Sequence, residues 1–118
     1  MKKIEAIIRK TKFEEVKEAL HEVDIDFFTY WDARGVGKTH QERIYRGVMY
    51  DTSVIERIMI TFIVRDQNLD KSIKAILKSA FAGEVGDGRI FVSSIDQSLQ
   101  IRTGIEGDES LYDKETGK

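Results

Sequence analysis

Residues 58–64, IMITFIV, form a nearly continuous apolar run of strand length, which marks a central strand. The rest of the chain arranges itself around that run. After it, Asn68 is placed to cap a helix whose buried face would carry Leu69, Ile73, Ile76, Leu77 and Ala80, with Asp70 and Lys74 as an exposed i,i+4 pair. Gly83 is placed to end that helix in a left-handed conformation. Gly86-Asp87-Gly88 reads as a tight turn, residues 89–94 (RIFVSS) as a strand, and residues 99–102 (LQIR) as a further short one.

The first part of the chain repeats this order. Residues 2–8 (KKIEAII) suit a strand. Thr11-Lys12-Phe13-Glu14 fits a capping box, and Phe13, Val16, Leu20 and Val23, with Ala19 beside them, make one apolar stripe on a helix of roughly three turns. Residues 27–33 (FFTYWDA) are aromatic and β-prone. Residues 34–54 show neither period, hold three of the nine glycines and read as a long loop. Long loops in compact domains are functional or disordered.

Two β-α-β units joined by a long loop make an α+β, ferredoxin-like sandwich: an antiparallel sheet with both helices on one face. The other sheet face must also be covered. Phe27, Thr29 and Trp31 alternate with Phe28, Tyr30 and Asp32, so aromatics fall on both faces of the second strand. Such a sheet points to self-association in a closed oligomer.

A chain of 118 residues fits one domain. A net charge of −2 argues against a nucleic-acid binder. With no cysteine there is no disulfide and no thiol chemistry, and no run reaches the ~18 apolar residues of a membrane span, so a cytoplasmic protein is expected. No proline is present, so glycine and side-chain contacts must shape the loops.

Gly37-Lys38-Thr39 matches the end of a phosphate-binding P-loop, but Asp32 stands where its first glycine belongs and no helical pattern follows Thr39. What remains is a pair of glycines, Gly35 and Gly37, whose freed amides beside Lys38 can cradle an anion; a flexible turn is the plainer reading. Gly86-Asp87-Gly88-Arg89 offers a second glycine-rich, basic element, whose plainer reading is a helix-to-strand connection. Arg102 flanks the last short strand. The long loop carries Arg34, Lys38, Arg43 and Arg46 with Tyr45 and Tyr50, a composition suited to a partner probe or to a solvated insertion. His21 and His40 make no catalytic spacing, and no Cys/His cluster suggests zinc.

Taken together, MKKIEAII at the start, EALHEV, YRG at 45–47, GDGRIFV at 86–92 and IRTG at 101–104 resemble the PII nitrogen-regulatory signalling proteins in order and spacing, over Met1 to about Gly107. The resemblance implies a homotrimeric domain over 1–107 that binds ATP or ADP in clefts between subunits. It makes 35–54 the family's T-loop, which docks on targets such as an Amt-type ammonium transporter or a nitrogen-metabolism enzyme and would recruit the protein to the membrane. Residues 108–118 would be a flexible tail; the chain is polar from Gly104 and expected to be loose there. By the same resemblance, Thr29 serves the base side of the nucleotide, Ile63 contributes backbone, and Gly35, Gly37 and Lys38 lie at the T-loop root. Gly86, Asp87, Gly88 and Arg89 form the phosphate loop, Arg102 reaches a phosphate across the cleft, Arg46 enters the transporter pore, and Tyr50 is the uridylylation candidate.

The chain departs from the family at identifiable positions. The T-loop is one residue shorter. Thr39 stands at the glutamine that helps hold the magnesium bridging ATP and 2-oxoglutarate. Arg57 replaces the lysine that meets the 2-oxoglutarate carboxylate, Gln100 the first arginine of R-I-R, Ala82 a threonine, and Arg89 a frequent lysine. Three readings follow: a PII-type regulator with Mg2+ and 2-oxoglutarate as further ligands, a PII-like sensor of ATP, ADP or AMP that ignores 2-oxoglutarate, and a slow ATPase using the same cleft. The first two are regulatory proteins, not enzymes.

Overall fold

The computed structural model describes residues 1–36, 54–112 and, as backbone, 43–45 and 48–50. The order is β1 (Lys2–Arg9), α1 (Phe13–Glu22), β2 (Thr29–Val36), β3 (Arg43–Tyr45), β4 (Val48–Tyr50), β5 (Val54–Val64), α2 (Leu69–Ala80) and β6 (Gly88–Ser94). Short 3-10 turns at Lys10–Lys12 and Asp66–Asn68 lead into the helices, and a third spans Asp108–Leu111. The main sheet has the order β2-β5-β1-β6 with every pair antiparallel. This is the ferredoxin-like α+β fold expected from the sequence.

Alternation along the strands separates the two sheet faces. Ile4, Ala6 and Ile8 of β1 and Ile58, Ile60, Phe62 and Val64 of β5 are buried, packed with Val16 and Leu20 of α1 and Ile76 and Ala80 of α2. Met59, Thr61 and Ile63 turn to the opposite face and are half-buried. The IMITFIV run is therefore two-faced in composition, but only one face is covered by helices. In register across the open face run Trp31, Met59, Ile7 and Arg89, with Thr29, Thr61, Glu5 and Phe91 in the next row. Trp31 is 45% exposed and Phe91 50%, so this single chain leaves a broad apolar surface uncovered.

Local expectations at the element ends need correction. The capping box does not form: the chain enters α1 through a 3-10 turn, Lys12 occupies the cap position and no side chain caps it. Asn68 stands at the cap of α2, but its side chain makes no capping bond; its carbonyl instead accepts the hydroxyl of buried Ser72 at 2.7 Å. Leu77 faces outward, and the buried row is Ser72, Ile76 and Ala80. Helix α2 ends at Phe81, which is extended, so Gly83 (φ 82°) belongs to the following loop. Residues 99–102 make no strand; Leu99 forms one isolated bridge to Glu106 and the chain turns at 101–103.

The long loop is shorter than its sequence pattern implies. β2 continues to Val36 and β5 begins at Val54, while β3 and β4 pair as a small hairpin within the excursion. The chain from Gly104, expected to be loose, folds back as far as Tyr112, whose ring lies 4.2 Å under the Arg65 guanidinium.

Candidate functional site

One end of the open sheet face is capped by residues 82–88, the loop between α2 and β6. Its course requires glycine: Gly83, Gly86 and Gly88 have φ of 82°, 100° and 107°. At Gly88 the requirement is doubled, because a β-carbon there would overlap the carbonyl of Ile7 on the neighbouring strand.

The loop is wound around the carboxylate of Asp87. Oδ2 accepts the amides of Ala82 and Gly83, each at 2.9 Å, and Oδ1 accepts Nε of Arg9 at 3.0 Å. The Ala82 amide is the strongest of these influences, and with Arg9 and Gly83 it holds the Asp87 pKa at about 2. Arg9 also donates through Nη2 to the Val85 carbonyl at 3.1 Å, and Glu84 lies 3.9 Å from the same nitrogen.

Arg9 and Arg57 face each other as direct cross-strand partners on β1 and β5. Like charges so placed repel. Burial, and then the nearby Arg9, lower the Arg57 pKa, while Asp87 opposes the shift. Both guanidinium groups are spent on the loop and the sheet end: Arg57 donates Nη2 to the Gly86 carbonyl at 2.9 Å and Nη1 to the Glu56 carbonyl at 2.9 Å. Thus the root of the β2–β5 excursion is tied to the glycine loop through one side chain.

The candidate residues fall into two groups. Gly35 pairs with Ile55 at the outer end of β2, two residues beyond Ala33, which shares the row of the arginine pair. With Arg57, Gly86, Asp87, Gly88 and the exposed Arg89, it marks the loop end of the sheet. Thr29, Ile63 and Arg102 do not join them. Thr29 begins β2, six residues from Gly35, roughly 20 Å at the rise of an extended strand. Ile63 pairs with Lys3 near the far end of β5, and Arg102 sits in the turn beyond Gln100. Gly37, Lys38, Thr39 and Arg46 lie outside the described residues; Tyr50 pairs with Arg43 through its backbone.

Two features escaped the sequence reading. One is Arg9, which ends β1 directly opposite Arg57 of β5. Asp87, which the resemblance puts in the phosphate loop, also braces that loop: its oxygens accept the Ala82 and Gly83 amides and Nε of Arg9. Its role in the structure is to shape the loop.

The nitrogen regulatory protein P-II family model matches residues 1–105. Similar proteins bearing that family's name occur in Rhodospirillum rubrum and Azospirillum brasilense, each 42% identical over 113 residues, covering 94% of this chain and 100% of the relative. A third, from Haemophilus influenzae, is 37% identical over the same shares. A match of this extent settles membership: the chain belongs to the nitrogen regulatory protein P-II family.

Proposed function

We propose that the protein is a signal-transduction regulator of nitrogen metabolism that binds adenine nucleotide and carries the signal in the β2–β5 excursion, its T-loop. The observation that carries this reading is the glycine loop 82–88 braced by Arg9 and Arg57. A loop of positive-φ glycines beside arginines suits phosphate, and Arg57 connects it directly to the root of the excursion. A ligand that favours one arrangement of the loop would thereby bias the excursion.

In this reading ATP or ADP lies between two copies of the chain. The loop-end group (Gly35, Gly86, Gly88, Arg89, with Gly37 and Lys38) would face the phosphates. Thr29 and Ile63 would come from the base side of a neighbouring copy, and Arg102 would reach a phosphate across the cleft. The separation of the two groups on one chain supports this arrangement, as does the uncovered open face, which a homotrimer would bury. Docking of Arg46 on an ammonium transporter, or of the excursion on a nitrogen-metabolism enzyme, and modification of Tyr50, belong to the same proposal. Among the described residues no helix is long and apolar enough to cross a membrane, so membrane contact would come through a partner.

A second reading, nucleotide sensing without 2-oxoglutarate, is favoured by one observation. The Arg57 guanidinium, which would have to meet that carboxylate, already serves the Gly86 and Glu56 carbonyls. Calorimetry with ATP and ADP, each with and without 2-oxoglutarate and Mg2+, tests both. Nucleotide binding with no gain from 2-oxoglutarate selects the second reading; a large gain restores Thr39 and Arg57 as effector contacts. Absence of nucleotide binding at tens of micromolar, on the order of 6 kcal/mol of affinity, removes both.

A further inference from the structure

A cavity of about 680 Å³ lies between the last two turns of α1 and the start of β2, and the nucleotide reading does not use it. The turn that ends α1 creates it. Ile25 N donates to Leu20 O at 2.9 Å and Asp24 N to His21 O at 3.0 Å, while Asp24 takes a left-handed φ of 66°. This is a Schellman turn with aspartate where glycine is usual. It drops Ile25 onto the core, 9% exposed, and turns Asp26 and Phe28 back alongside the helix. His21 ties the returning chain to the helix, its Nδ1 lying 2.8 Å from Oδ1 of Asp26.

Two kinds of group meet in this cavity. Phe28 and Tyr30 line it with ring surface, and both belong to a cluster with Phe13, whose ring centroid lies 4.5 Å from that of Tyr30 and 6.3 Å from that of Phe28. Glu18, Glu22 and Asp26 add three carboxylates. Among the described residues Glu18 and Glu22 make no ion pair, while Lys17, the cation on the lining, is held by Glu14 at 3.1 Å. The carbonyl end of α1 adds partial negative charge. Such a site selects a cation with a flat body. Ring faces attract positive charge, carboxylates accept N–H bonds in pairs, and an anion is repelled. A guanidinium meets all three conditions, because it is planar, always charged and presents its donors as a fork.

The cavity is also separate from the face that further copies would bury. Tyr30 shares its row with buried Ile60, so it lies on the helix-covered side of the sheet, opposite Trp31 and the open face.

We propose that this cavity binds a guanidinium group, stacked on Phe28 and Tyr30 and hydrogen-bonded by Glu18, Glu22 and Asp26. The inference stands independently of the nucleotide reading. Heteronuclear NMR titration of the full chain with arginine amide, lysine amide and citrulline amide tests it. Arginine amide should bind with a dissociation constant of about 1 mM or tighter and shift the amides of residues 17–30. Citrulline amide, which keeps the shape without the charge, should bind at least about tenfold more weakly, and lysine amide at least about threefold. A capped Ala-Arg-Ala peptide distinguishes the sources. Binding as tight as arginine amide assigns the guanidinium to a protein side chain; exclusion of the peptide assigns it to a free small molecule. Either result upholds the site.

The double variant Glu18→Gln, Glu22→Gln changes two exposed side chains and should weaken arginine amide about fivefold or more, and Tyr30→Leu about threefold. Thermal melting by circular dichroism identifies variants that have kept the fold. Absence of binding at about 10 mM would overturn the inference. So would equal binding of citrulline amide, shifts confined to other parts of the chain, or a folded double variant that binds as wild type.

Discussion

Nε of Arg9 donates to Oδ1 of Asp87 across 3.0 Å, joining the end of β1 to a loop 78 residues later in the chain. Asp87 passes that restraint on to the amides of Ala82 and Gly83. The loop's glycines are consequently held in one course before any ligand arrives, and pre-organisation of this kind lowers the cost of binding.

Asp87→Asn should loosen the loop and weaken ATP binding about tenfold, measured by calorimetry at pH 7. It should also lower the melting temperature at that pH. The carboxyl pKa is depressed in the folded chain, to about 2, so its contribution is present above the unfolded value of about 4 and is lost as pH falls through about 2. The difference in melting temperature between variant and wild type should shrink across that window. A difference that stays constant down to pH 2 would contradict the carboxylate's role.

Gly88→Ala should be far more damaging than Gly35→Ala. At Gly88 a β-carbon meets the Ile7 carbonyl and φ is 107°; at Gly35 nothing lies within 4 Å. Denaturant unfolding should show a loss of about 3 kcal/mol or more for the first and less than about 1 kcal/mol for the second. Equal effects would mean that the close approach of β6 to β1 does not constrain the loop.

Trp31→Glu places a charge in the apolar row with Met59 and Ile7 on the open face. Light scattering should report three copies for wild type and a smaller assembly for the variant. A wild-type monomer would contradict burial of this face by self-association.

Arg57→Lys retains the charge but loses the fork that reaches the Gly86 and Glu56 carbonyls together. If Arg57 serves the loop, 2-oxoglutarate with Mg2+ should change the ATP affinity of wild type by less than about threefold, and the lysine variant should bind ATP more weakly. A large 2-oxoglutarate response in wild type would show that Arg57 can leave its carbonyls for a ligand.

The two helices and the central strands were legible because burial leaves a period. Val16 and Leu20 on α1, Ile76 and Ala80 on α2, and alternate residues of β5 all contact one core. For the converse reason the sequence marks 34–36 and 54 as loop and leaves 55–57 without an element. Arg34, Gly35, Val36, Val54 and Glu56 are exposed, so β2 and β5 are paired there by backbone and carry no hydrophobic pattern. The glycine loop was recognisable from its residue types, but not the use of Asp87 inside it, since that depends on Arg9 arriving from β1. Similarly, nothing local in residues 104–112 marks them as ordered; the order comes from Gln100 and from Arg65, which stand far apart in sequence.

The central claim is that the braced glycine loop binds nucleotide phosphate and passes the event to the excursion through Arg57. Titration of ATP into wild type and Arg9→Gln by calorimetry tests it most directly. Wild type should bind with micromolar affinity, and a folded Arg9→Gln chain about tenfold or more weakly. Identical ATP affinity in the two proteins, or none in wild type, would contradict it.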